Sequence, residues 1–135
     1  MIDHVGISVA DITVSKPFYE QALEPLGYKL IMEVTAEQTG GHSAAGFGAA
    51  FPDFWIGQDG APSQRTHVAL RAKTRAEVDA FHAAALAAGG RDNGAPGLRP
   101  HYHEHYYGAF VLDPDGHNIE AVCHAPGDPA DQKDV

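Results

Sequence analysis

HVGISV (residues 4–9) and HVALRA (residues 67–72) are two copies of one short pattern. In the first, Val5, Ile7 and Val9 alternate with His4, Gly6 and Ser8; in the second, Val68, Leu70 and Ala72 alternate with His67, Ala69 and Arg71. A period of two puts the aliphatic residues on one face of a strand and each histidine on the other. The copies stand 63 positions apart, from 4 to 67, and the same offset carries Phe18 onto Phe81, Ala22 onto Ala85, Leu23 onto Leu86 and Gly27 onto Gly90. So many matches at one offset indicate an internal duplication. In each copy the strand leads to a helix that stops at glycine. The second helix opens with Thr74-Arg75-Ala76-Glu77, a capping-box pattern, and carries Val78, Phe81 and Ala85 on one stripe. In the first, Ser15 is expected as the N-cap, with Pro17 in the first turn or at a kink.

Shorter strands complete each half. Residues 28–34 (YKLIMEV), 44–49 and 54–57 (FWIG) finish the first; a weak segment at 91–98, then 106–112 (YYGAFVL) and 118–124, finish the second. Each half therefore reads β-α-β-β-β, and the expected class is α+β with duplicated βαβββ modules. The expected domain is a single one over residues 1–124, made of repeats 1–57 and 65–124 joined by the polar link QDGAPSQ (58–64). The acidic tail 125–135 is expected to be solvated and disordered.

Composition narrows the partners. Eighteen acidic against nine basic residues among 135 give a formal charge of −9, which argues against nucleic acid and anionic membrane surfaces. The one cysteine, Cys123, excludes an internal disulfide and fits a reducing compartment. No apolar run approaches membrane-spanning length, and residues 1–10 read as a strand rather than a signal peptide. A soluble cytoplasmic protein is the expectation.

The stretch DPDGHNIEAVCH (113–124) raises a chemical question. Pro114 and Gly116 make a tight turn, and the strand after it sets Ile119, Ala121 and Cys123 against Glu120, Val122 and His124. A buried, unpaired carboxylate costs several kcal/mol, so Glu120 needs water, a cation or a metal as partner. Packing the two halves about a pseudo-twofold axis sets their first strands side by side, so that His4 and His67 converge. The last strand brings Glu120 to the same point. Two imidazoles and one carboxylate form a facial triad that leaves coordination positions open. A lone histidine on a strand is ordinarily a satisfied or exposed residue, and the case rests on the matched placement.

The βαβββ duplication, the opening HVGISVAD, the helix FYEQALEPLGY and the ending AFVLDPDGHNIEAV together resemble the glyoxalase / bleomycin-resistance / extradiol-dioxygenase superfamily, the vicinal oxygen chelate proteins, over residues 2–124. The resemblance implies a cupped mixed sheet around a metal, with ligands on the first and last strands. His4, His67 and Glu120 fall on those ligand positions. It also implies one divalent metal per site (Fe, Mn, Ni or Zn), a small-molecule substrate and a homodimer, the cup being built within one chain or from halves of two. Relatives of the glyoxalase I type take a further Glu from the last strand of the first repeat; Phe54-Trp55-Ile56-Gly57 offers none, which leaves three ligands. Such a set also serves the superfamily's dioxygenases and fosfomycin-modifying transferases. Gly108 and Phe110, where a serine and a tyrosine would be expected, disfavour the fosfomycin branch.

The functional expectation is a metal-dependent enzyme, a glyoxalase-like lyase or isomerase or an extradiol-type dioxygenase, with Glu120 as ligand and catalytic residue. The substrate would chelate through neighbouring oxygens. The alternative is a non-catalytic module that sequesters an antibiotic-like molecule; the triad argues against it, because metal-free drug-binding members typically lack one. HYHEHYY (101–107) reads as a loop entering the strand at Tyr106, a lid from which Tyr102 or His103 reaches substrate, rather than as a second metal site. Tyr106 and Phe110 share a face with Gly108, placed toward the cavity on the resemblance. Arg71 shares the face of His67, where it either holds an anionic substrate group or stands in solvent. Trp55 is expected in the core, and Cys123 as a small buried hydrophobe.

Overall fold

Alternation along the chain becomes alternation in burial. The computed structural model describes residues 1–59 and 65–127. The first half runs β1 (Val5–Ser8), α1 (Ile12–Leu23), a 3-10 turn (Glu24–Leu26), β2 (Lys29–Val34), α2 (Ala36–Thr39), β3 (Ser43–Gly48) and β4 (Phe54–Gln58). The second runs β5 (His67–Arg71), α3 (Arg75–Ala87), β6 (Arg91–Leu98), β7 (Tyr107–Leu112) and β8 (Asn118–Cys123). Each half is a four-stranded mixed sheet, ordered β1-β4-β3-β2 and β5-β8-β7-β6. In both, the first and last strands pair in parallel and the other pairs are antiparallel. The chain is thus an α+β fold of duplicated βαβββ units. No helix among the described residues is long and apolar enough to cross a membrane.

The two halves share one core. Ile7, Val9, Phe18, Tyr19, Leu23, Phe47, Phe54 and Ile56 from the first repeat join Val78, Phe81, Val111, Ile119 and Cys123 from the second in a single buried cluster. α1 packs against α3, so the helical layers of the repeats are continuous. Each large aliphatic or aromatic side chain buried there contributes about 1.5–3 kcal/mol.

Several local expectations are corrected. Asp11, not Ser15, caps α1: its side chain accepts the Thr13 N–H, while Ser15 is buried inside the helix and donates to Asp115. Asp11 sits where β1 ends and the first unpaired amides of the helix begin, which suits a carboxylate. Pro17 consequently lies inside the helix, beyond its first turn. Thr74 caps α3 as expected, but the Glu77 carboxylate takes the Lys73 N–H, one residue ahead of the cap. The weak segment is a full strand, β6, with register shifts at Asp92/Gly94 and Gly94/Gly97. The link residues 60–64 and tail residues 128–135 lie outside the described residues.

The turn Asp113–His117 fastens one repeat to the other. Gly116 takes φ 86°, the left-handed corner the sequence calls for. Asp113 Oδ1 accepts the N–H groups of Asp115 and His117, and its Oδ2 accepts the Tyr19 hydroxyl at 2.5 Å. Asp115 accepts the Ala10 N–H at 3.0 Å. The Thr66 N–H donates to His117 Nδ1 at 2.9 Å, which leaves Nε2–H to donate to the Ser8 carbonyl at 2.7 Å. Tyr19, Ser8 and Ala10 belong to the first repeat, and all three are tied to a turn in the second.

Candidate functional site

Glu120 is 1% exposed in the middle of β8, and both of its oxygens are engaged. Oε1 lies 3.0 Å from His67 Nε2 on the neighbouring strand, and Oε2 accepts the Tyr106 hydroxyl. The parallel register sets His67 beside Asn118 and Ala69 beside Glu120, so the imidazole reaches diagonally to the carboxylate. Phe110 lies directly across from Glu120 on β7, its ring 6.1 Å from that of His67. His67, Tyr102, Tyr106, Phe110 and Glu120 line a cavity of about 400 Å³. Burial, the hydrogen bond to Glu120 and the Glu120 charge raise the Tyr106 pKa, so its phenol stays a donor at neutral pH.

His4 is elsewhere. Its ring is exposed and its Nδ1 stands 2.8 Å from Asp3 Oδ2. His4 and His67 border a common cavity of about 370 Å³ with Tyr28, Asp53, Val68 and Leu70. A single chain thus brings His67 and Glu120 together and does not add His4. Among the described residues, the one set of three His, Cys, Asp or Glu ligand atoms within 4.8 Å of one another is Asp113, Asp115 and His117. By distance that set can hold a cation, but its atoms already serve the contacts between repeats, and both nitrogens of His117 are used. Its chemistry is structural.

The other expected site residues are dispersed. Arg71 lies on the exposed face of β5 that carries His67. His103 lies in the loop before β7, its ring 5.7 Å from that of His124, and Tyr102 and Tyr106 meet edge-on at 5.1 Å. That loop is a turn closed by the Arg99 N–H on the Tyr106 carbonyl, so its three alternating histidines share no strand face. Trp55 is not in the core. Phe54 and Ile56 take the core side of β4, which leaves the indole half-buried on the opposite face, bordering a cavity of about 290 Å³ with Gly6, Ser8, Ala44 and Gly57. The pairing Gly6↔Trp55 in the first repeat mirrors Ala69↔Glu120 in the second. Trp55 therefore occupies the place that Glu120 holds in its own repeat. The alternation of Phe54 and Ile56 with Trp55 and Gly57 is the signal that places it.

Residues 1–121 match the Glyoxalase/Bleomycin resistance protein/Dioxygenase superfamily. The chain belongs to that superfamily. Among solved structures it is similar to a glyoxalase/bleomycin resistance protein from Albidiferax ferrireducens T118, with 31% identity over 92% of this chain and 98% of that one and a TM-score of 0.72. Glyoxalase I from Zea mays shares the fold at 23% identity and a TM-score of 0.67; the alignment covers 90% of this chain but only 45% of the maize protein. TioX from Micromonospora sp. ML1 does so at 16% identity over 93% and 99% of the two chains, with a TM-score of 0.68. No curated protein sequence matches the chain.

For this member of the superfamily, the donor pair can be tested against a divalent cation. Two N or O donors bound at about 2.1 Å and at right angles to each other stand about 3.0 Å apart. His67 Nε2 and Glu120 Oε1 are separated by 3.0 Å and line the same cavity. The pair fits.

Proposed function

We propose that the chain is a divalent-metal-dependent enzyme acting on a small substrate that chelates through neighbouring oxygens, by glyoxalase-like lyase or isomerase chemistry or by oxygen-dependent ring cleavage. The observation that carries the reading is the His67–Glu120 pair, a nitrogen and a carboxylate oxygen 3.0 Å apart in an aromatic cavity. His67 and Glu120 would hold Fe, Mn, Ni or Zn, and the partner subunit's His4 would complete the triad in a cytoplasmic homodimer. One fact supports the shared arrangement: His4 is exposed in its own chain and, although it borders a cavity with His67, does not join the His67–Glu120 pair. Bound there, the cation supplies Lewis-acid stabilisation of negative charge developing on substrate oxygen. Phe110 and Tyr106 wall the substrate and exclude water, Arg71 holds an anionic group at the rim, and His103 reaches in from the loop. Glu120, besides ligating, is the carboxylate through which the site exchanges a proton with substrate.

One observation favours a second reading, a non-catalytic module that sequesters an aromatic or antibiotic-like ligand. Glu120 already finds partners for both oxygens within the chain. Elemental analysis separates the two. The enzyme reading expects about one divalent metal per chain, lost in His67→Ala with the fold retained, because the aliphatic face of β5 is untouched. Metal-free protein that keeps full affinity for its ligand supports the sequestering module instead.

A further inference from the structure

We propose that Tyr106 is the positioning residue for Glu120, and that Gly108 and the loop before β7 exist at this site to hold it there. The proposal rests on the metal-dependent reading and adds a device to it. In the antiparallel register, Glu120 faces Phe110 and Val122 faces Gly108, so Tyr106 starts four residues along the chain from the position opposite the carboxylate it touches. The ring reaches Glu120 only by lying along the strand above position 108. A Cβ there would stand 3.1 Å from Tyr106 Cε1 and 3.3 Å from Glu120 Oε2, beneath their point of contact. Glycine leaves that room.

The ring is also fixed from outside the sheet. Tyr102 meets it edge-on at 5.1 Å, and His124, the residue after β8, does so at 5.3 Å. The loop is closed at its base, where the Arg99 N–H donates to the Tyr106 carbonyl at 2.7 Å. With the hydroxyl on Oε2, the oxygen turned to His67 is always Oε1. A carboxylate so held presents one chosen oxygen and spends no rotational freedom when a cation arrives. This gives Tyr102 and Tyr106 of HYHEHYY a role that none of its histidines needs to share.

The test uses the full chain loaded with Mn²⁺ for affinity and Co²⁺ for its visible spectrum, in wild type, Tyr106→Phe and Gly108→Val. Tyr106→Phe removes one oxygen and keeps the ring; Gly108→Val keeps the phenol but wedges it off the carboxylate. Both are expected to bind Mn²⁺ about ten- to a hundred-fold more weakly and to shift the Co²⁺ bands, with the metal-free melting transition of Tyr106→Phe still cooperative. Should Gly108→Val fail to fold, Tyr106→Phe alone decides. Wild-type affinity together with a wild-type Co²⁺ spectrum in Tyr106→Phe would overturn the positioning role. Wild-type protein that takes up neither metal would overturn the metal reading itself, and this proposal with it.

Discussion

Glu120 carries the densest chemistry of any single residue in the molecule. A cation that ligates it must bind the folded chain and not the unfolded one, so metal raises stability by mass action, about 2.7 kcal/mol at a hundredfold excess over Kd. Titration with Mn²⁺ or Zn²⁺ should lift the melting midpoint of wild type, and the rise should be much smaller in Glu120→Gln, which keeps the shape and loses the charge. Equal rises in the two proteins would remove Glu120 from the ligand set. The oddity of this carboxylate was legible from the alternation of β8, and so was its neighbour His67, because both follow from period two. The Tyr106 contact was not legible. It runs along a strand over a glycine, and no periodicity encodes a side chain that reaches a carboxylate paired four residues away. Trp55 departs from expectation for a simpler reason: its size suggests the core, whereas the order Phe54-Trp55-Ile56 assigns it the other face.

At the level of elements, the turn 113–117 and helix α1 act as one unit. Tyr19 is fully buried, and its hydroxyl is tied to the Asp113 carboxylate. Tyr19→Phe should therefore cost about 1.5–3 kcal/mol, the worth of a hydrogen bond to a charged group, read from urea unfolding. Burial first, then the charge and hydrogen bond of Asp113, raise the Tyr19 pKa well above its ordinary value. The neutral phenol is the form that folding favours, so its contribution is whole below about pH 10 and is lost as pH climbs beyond that toward the raised value. Wild type should lose more stability than Tyr19→Phe between about pH 8 and pH 11; parallel losses would show that Tyr19 does not govern the alkaline limb. The turn itself was readable from Pro114 and Gly116, and the strands from alternation to within a residue or two. The short helix α2 and the 3-10 turn were not, since four and three residues are too few to show a period. The N-cap moved from Ser15 to Asp11 because the proline at 17 suggests a later start than α1 makes.

The whole molecule is a duplication whose halves share a core, and the proposed site takes His67 and Glu120 from one copy and His4 from another. That arrangement predicts complementation between copies. Mixing and reassorting His4→Ala with Glu120→Gln should restore about a quarter of wild-type metal content, because half of the dimers are mixed and each of those has one intact site of two. Sites built within single chains would regain nothing on mixing. The duplication was legible from one offset in the sequence; the order of the strands within each sheet and the place where His4 comes to rest were not, because a repeat fixes equivalence and leaves open which strands pair and which copies meet. The fastening of the repeats bears also on the moment of synthesis. Hydrogen bonds between the turn at 113–117 and Ser8, Ala10, Ser15 and Tyr19 join residues 109, 105, 100 and 94 positions apart. A chain leaving the ribosome exposes the first repeat with a phenol and a carbonyl that are left to water until nearly the last strand emerges. Its first half must therefore wait, incompletely packed, for some seconds at ordinary elongation rates of about 5–20 residues per second.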